Sequence, residues 1–365
     1  MNQPNDTTTR PTDSPPASSP AAPNVIVRVG GGTASRLICV LGWLGFLVFL
    51  TLFLGQSASM EEYFDTTGGI QQKHHSGARE AKDKVAIITV SGAILEGDGF
   101  AKRQIDRVRD DEDVKAVVVR VNSPGGTIAG SDYIYHHLTR LRNEKKIPLV
   151  VSMGSIAASG GYYVAMAVGD QENSIYAEPT TTTGSIGVIM PHYDLSKLLA
   201  RFDVSNDSIV SHPRKQLMSM TQPMSDEDRK ILQAYVDEAF LRFKDIVAQG
   251  RPVFQADRAA LDELATGEIF TAPQAKRHGL VDEIGFIEDA IDRAIELANL
   301  DKDATRVVRY ERPASLLDVA LPLASSGGAT DLSTILELNT PQAYYLATTL
   351  PPLLSHRKQR DGMDN

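Results

Sequence analysis

Ala116-Val117-Val118-Val119-Arg120-Val121, running directly into Asn122-Ser123-Pro124-Gly125-Gly126, is the stretch on which the fold turns. A valine-rich run stopped by a Pro-Gly-Gly turn suits a strand buried on both faces, as in a parallel sheet. The runs at 85–90 (VAIITV) and 149–153 (LVVSM) have the same character. Between the last two strands, residues 131–145 carry Ile134, Leu138 and Leu141 at helical spacing. Strand, crossover helix and strand in repetition imply an α/β domain with a largely parallel sheet. Further on, Ser225 precedes Asp226, Glu227 and Asp228, an N-cap and acidic first turn for a long helix. Its Ile231, Leu232, Tyr235, Phe240, Phe243 and Val247 line one face, and Gly250 and Pro252 end it.

Outward from this body the chain changes character. Residues 1–24 hold six of the nineteen prolines among Ser, Thr and Asn, and cannot bury enough apolar surface to order themselves. Residues 1–36 are therefore expected to be a disordered tail. Residues 37–54 follow without a charge, long enough as a helix to span about 27 Å, close to a bilayer's hydrocarbon thickness. A transmembrane helix is expected there rather than a signal peptide, whose apolar region is shorter. Arg28 and Arg36 precede it, whereas Glu61, Glu62 and Asp65 come before Lys73 on the other side. The positive-inside rule then keeps the tail in the cytoplasm and exports the rest. A polar linker is expected over 55–83, and beyond 301 a C-terminal extension, 301–365, shows little periodicity. The lone cysteine, Cys39, removes intrachain disulfides and cysteine-based metal sites, and is read as a buried, inert thiol. A net charge of −9 argues against a nucleic-acid surface.

Two glycine-containing turns stand close after strands: Asn122 to Gly126, and Ala158-Ser159-Gly160-Gly161. Ligands of parallel sheets gather beyond the carboxyl ends of strands, so both turns should face one crevice. Ser159 opens a helix, where free N–H groups favour an oxyanion; it could equally be a plain N-cap. A nucleophilic serine needs a base. The pairs His74-His75 and His136-His137, and His192, His212 and His278, offer no H-E-x-x-H spacing, so no zinc peptidase and no metal or other cofactor is expected. The segment Ser211-His212-Pro213-Arg214-Lys215 supplies a lysine as the other possibility.

Four motifs follow in order: AASGGYY at 157–163, TGSIGVI at 183–189, SHPRKQLM at 211–218 and GLVDE at 279–283. Over roughly 84–300 the chain closely resembles the signal peptide peptidase A (protease IV) family of membrane-anchored serine proteases, in its single-domain form. The resemblance implies a Clp protease/crotonase-like fold of ββα repeats and active sites completed by homo-oligomerisation. It makes Ser159 the nucleophile and Lys215 the general base of a Ser/Lys dyad. Gly160, with Gly125 or Gly126, would form the oxyanion hole, and Ser185 would orient the lysine. A lysine with the ordinary pKa of about 10.4 is almost wholly protonated at neutral pH, and desolvation is what turns such a group into a base. Peptide substrates, chiefly signal-peptide remnants, are implied, at a bacterial inner membrane with the catalytic domain on the exported side. GLVDE is read as structural, a helix ending at Gly279. Two other readings compete: a crotonase-type acyl-CoA enzyme, which the anchor disfavours, and an inactive membrane scaffold, which the intact Ser159 and Lys215 disfavour.

Overall fold

The computed structural model describes residues 39–51, 53 and 69–312, and the backbone of 344–346. Residues 39–51 form helix α1. Strands and helices β1 (Gln71–Gly77), β2 (Lys84–Ser91), α2 (Phe100–Asp110), β3 (Val114–Ser123), β4 (Gly125–Thr127), α3 (Ile128–Lys145), β5 (Leu149–Ala158) and α4 (Gly160–Ala165) come next. They are followed by β6 (Ile175–Ala177), β7 (Thr182–Gly184), α5 (Ser196–Ala200), α6 (Asp226–Gly250), α7 (Pro252–Ala256), α8 (Arg258–Leu264) and β8 (Ile269–Thr271). Last come α9 (Ala272–Arg277), β9 (Glu283–Ile284), α10 (Ile287–Leu297), β10 (Arg306–Glu311) and β11 (Tyr344–Leu346).

The main sheet runs β1-β10-β2-β3-β5-β6-β9, with β7 and β8 added beside β5. The pairs from β10 to β9 are parallel, and only the outer partners β1 and β8 run antiparallel. Alternation along the central strands fills both faces. Ala86, Ile88, Val117, Val119 and Val151 enter the larger core with α3, α4 and α6. Val85, Ile87, Ala116, Val118 and Val150 meet Ala290, Ile291, Ala294 and Ile295 of α10 on the other side. The apolar runs thus lie between two helical layers, which is why they carry no polar alternation.

Some expectations meet a different structure. Part of the stretch read as a linker, 71–77, is the edge strand β1, and β10 lies beyond residue 300 yet sits between β1 and β2. Only the C-terminal half of α6 is buried: Phe243 and Val247 are covered, whereas Ile231 and Tyr235 are exposed. Cys39 is exposed, not buried, because every described side chain of α1 is exposed. Among the described residues no helix is long and apolar enough to cross a membrane; the expected span 37–54 falls partly outside them, as does the whole tail 1–36. Helix α1 and the described body from residue 69 onward fall in separate units.

Candidate active site

The corner at Ser159 is produced by a break in the sheet. From Val121 to Ser123, β3 advances two residues while β5 advances from Met153 to Ala157, so β5 bulges. The Asn122 carboxamide oxygen fills the gap, accepting from Ser155 Oγ at 2.8 Å and from the Ile156 N–H at 3.3 Å. Beyond the bulge β5 pairs with β7 instead of β6, ending with Ala158 opposite Gly184. The Ser159 N–H then donates to the Gly184 carbonyl at 2.8 Å, which puts Ser185 next to Ser159.

Ser159 itself takes φ 53°, ψ −115°, a sparsely populated region for a residue with a Cβ, worth about 1–3 kcal/mol of strain. Its carbonyl accepts from the Tyr163 N–H at 2.8 Å and so starts α4. Its side chain makes no capping bond. Three other helix starts behave differently: Thr127, Ser225 and Thr271 each accept from a backbone N–H of the following turn. The plain N-cap reading of Ser159 is thereby removed, and among the described residues its hydroxyl has no hydrogen-bond partner. With six residues, α4 is too short to lean on a macrodipole; the relevant donors are the individual N–H groups of its first turn.

The two glycine turns do meet. A Cβ on Gly160 would stand 2.3 Å from Ser131 Oγ and 3.1 Å from both Gly125 Cα and the Gly126 nitrogen. Only glycine permits that approach. Gly125 has φ 99°, and its N–H donates to Ser123 Oγ at 3.1 Å, while Ser123 Oγ donates to the Gly92 carbonyl at 2.6 Å. That commitment separates the pair: the Gly125 N–H is engaged within the turn. On the next residues, Ile94 N–H donates to the Gly125 carbonyl and Thr127 N–H to the Ile94 carbonyl, so the main-chain groups of Gly126 face the opposite edge of β4. Asn122 and Ser123, quoted in the sequence as part of this turn, and Thr127, which was not, shape it through their side chains. The signal was present, since Ser and Asn before Pro-Gly are turn-forming side chains.

Behind the corner, Tyr162 is fully buried and its hydroxyl donates to the Leu280 carbonyl at 2.8 Å. Burial holds that phenol's pKa far above its ordinary value. The GLVDE segment anchors this partner. Gly279 has φ 74° after α9, and Asp282 accepts from the Ser174 and Ile175 N–H groups at 2.9 Å each. Arg251 pairs with Asp282 at 2.8 Å and donates through Nε to the Gly279 carbonyl. The Tyr163 hydroxyl donates to Asp132, which also receives Arg242.

Lys215 is carried by a different element. It belongs to a short 3₁₀ turn, Pro213–Gln216, capped by His212, and its side chain is exposed. Among the described residues no hydrogen bond joins it to Ser159 or Ser185. It lines a cavity of about 1040 Å³ with Met190, Leu199, Val204, Ile231 and Tyr235. Arg214 approaches Glu227 at 4.0 Å on the surface. Ser185, φ 53°, is nearly buried, and its N–H donates to the Glu268 carbonyl at 2.7 Å. The structure thus gathers Ser159, Gly160, Gly125, Gly126 and Ser185 in one place, while among the described residues no hydrogen bond or ion pair ties Lys215 to them. Among the described residues no cluster of three or more His, Cys, Asp or Glu could hold a metal ion.

A corner that presents a free, strained serine hydroxyl beside close-packed glycines has the form used by serine hydrolases. The family pattern of peptidase family S49 matches residues 141–301. A protein named as a protease in Synechocystis is 37% identical over 254 residues, covering 70% of this chain and 87% of that protein. One assigned by name as signal peptide peptidase SppA in Enterococcus faecium is 38% identical over 240 residues, 62% of this chain and 67% of that protein. Protease 4 of Salmonella typhi is 34% identical over 245 residues, 65% of this chain but 38% of the longer relative. The chain belongs to peptidase family S49, the SppA family of serine peptidases.

Proposed function

We propose that this chain is a membrane-anchored serine endopeptidase whose nucleophile is Ser159 and whose general base is Lys215 supplied by a neighbouring copy. Ser159 Oγ attacks the peptide carbonyl carbon while the neutral lysine amine takes its proton. The N–H groups of Gly160 and Gly126 receive the negative charge that develops on the carbonyl oxygen. The resulting ammonium gives its proton to the departing amine, and water then repeats the sequence on the acyl-enzyme. Ser185 orients the amine, being the next residue to the one that receives the Ser159 N–H. The observation that carries this reading is the Ser159 hydroxyl, without a hydrogen-bond partner among the described residues and held in a costly backbone conformation that no capping bond explains.

Assembly follows from the exposure of the other half. Between Ile189 and Tyr235 the chain exposes Leu198, Phe202, Val204, Ile209 and Ile231, large apolar side chains of the kind that a partner surface covers. Covering them with a second copy would bury Lys215 as well, and loss of water favours an amine's neutral form. Homo-oligomers that share sites in this way are closed by symmetry. We read the body as the Clp protease/crotonase type of α/β fold. The uncharged stretch 37–54, whose helix α1 exposes Trp43, Phe46 and Phe49, is read as an inner-membrane anchor with the catalytic domain outside the cytoplasm. Substrates that reach such a site are cleaved signal peptides and other hydrophobic segments.

A fluorophosphonate probe tests the nucleophile. The full chain should be labelled, and the folded Ser159→Ala variant should not. Labelling that persists in Ser159→Ala would assign the chemistry to another residue.

A further inference from the structure

A strand that changes neighbours loses its ladder bonds where it changes. Strand β5 does so between Met153, opposite Ala177 of β6, and Ile156, opposite Thr182 of β7. Gly154 and Ser155 fall in the interval, with no partner residue on β3, β6 or β7. Two side chains stand in for the missing strands. On the β3 edge the Asn122 carboxamide oxygen takes both the Ile156 N–H and the Ser155 hydroxyl. On the opposite edge Thr181, 1% exposed, donates its hydroxyl to the Gly154 carbonyl at 2.6 Å. The Glu178 N–H donates to the Met153 carbonyl at 3.3 Å, and Arg120 joins the same edge by bonding Ser152 Oγ and pairing with Glu178. Gly154 is packed closely between the two sides: a Cβ there would stand 3.2 Å from both Arg120 Nη2 and Asn122 Oδ1.

We propose that Asn122 and Thr181 are positioning residues for the nucleophile: together they fix the kink of β5, and with it the reach of Ser159 Oγ to a substrate carbonyl. This rests on the peptidase reading above. Bulges beside active sites re-aim a side chain, and this one lies directly before Ala157 and Ala158, which are paired with β7 and lead into Ser159. Whatever sets the kink therefore sets where Ser159 stands against Gly184 and the Gly125–Gly126 turn. A shift of the hydroxyl by about 1 Å slows the chemical step about 10²-fold and leaves the peptide groove as it was. The loss belongs in kcat and in acylation, not in KM. At Asn122 the acceptor oxygen is what matters; aspartate offers one in the same place, and leucine, of similar volume, does not.

Asn122→Leu and Asn122→Asp test this in the purified full chain, with folding checked by circular dichroism. The rate of fluorophosphonate labelling and the hydrolysis of a fluorogenic peptide are measured on the same samples. Asn122→Leu should lower kcat and the labelling rate about 10- to 100-fold with KM within about twofold, and Asn122→Asp should recover most of that loss. Thr181→Val and Thr181→Ser repeat the comparison on the opposite edge, where only the serine keeps the hydroxyl. Native kcat in folded Asn122→Leu would overturn the proposal, as would Asn122→Asp as slow as Asn122→Leu, or a loss confined to KM or to thermal stability. Should Asn122→Leu not fold, Ser155→Ala takes its place, removing one donor at an exposed position. Its kcat should fall about two- to tenfold, and a native kcat would again overturn the proposal. Absence of labelling in the unsubstituted chain would instead overturn the peptidase reading beneath it.

Discussion

Around Ser159 nearly every polar group is occupied by the chain's own atoms, whereas around Lys215 the chain offers its side chains to solvent. The first region is a corner where β3, β5 and β7 end together, glycines touch, and Ser123, Asn122 and Thr127 satisfy the turns. The second runs from Ile189 through α5 to the start of α6 and exposes Phe202 at 72% and Ile209 fully. The first is built by folding, and the second is where the proposed neighbouring copy would bind. A nucleophile must be held to a fraction of an ångström, which main-chain bonds do well. A lysine that must lose its proton needs a dry setting, which an exposed turn gains only when something covers it.

Substitutions can break this contrast at either end. The largest effect is expected at Lys215. Lys215→Arg keeps the charge but cannot accept a proton, so peptide hydrolysis should fall about 10²- to 10⁴-fold with the circular dichroism spectrum unchanged. Substantial activity in that variant would free Lys215 from the role of base and return attention to His212. Next is Asp282→Ala, on the rigid side. It strands Arg251 and two backbone N–H groups, and urea denaturation should show a loss of about 3–5 kcal/mol. The smallest effect on stability is expected on the exposed side. Phe202→Ser with Ile209→Ser should alter unfolding free energy by no more than about 0.5 kcal/mol, yet shift the proposed homo-oligomer toward smaller species in sedimentation velocity.

The sequence disclosed the parts of this contrast that depend on side-chain pattern. Valine-rich runs marked β2, β3 and β5, and Ser225 with its acidic turn marked α6. What escaped was structure made by backbone alone. The strand β1 reads QQKHHSG and exists because β10 offers it an edge. The strand β4, Gly-Gly-Thr, has almost no side chains to reveal it or its pairing with β11. The choice between Gly125 and Gly126 depended on where one N–H points, and the question of whether Ser159 caps its helix depended on dihedral angles. Along α6 the apolar periodicity was real, but amphipathicity does not say whether the same chain or another covers a face. Ile231 and Tyr235 are exposed on that face, and Tyr235 lines the cavity that Lys215 borders.

The proposed placement of Ser159 and Lys215 on neighbouring copies is tested most directly by mixing two inactive proteins. Ser159→Ala and Lys215→Ala chains, differently tagged and co-expressed, are purified as mixed assemblies and assayed for peptide hydrolysis. If one copy supplies the serine and its neighbour the lysine, activity returns, to roughly a quarter of the native rate for random pairing in a closed ring. Mixed assemblies as inactive as either parent would contradict the account, placing both groups in one chain or removing Lys215 from the chemistry.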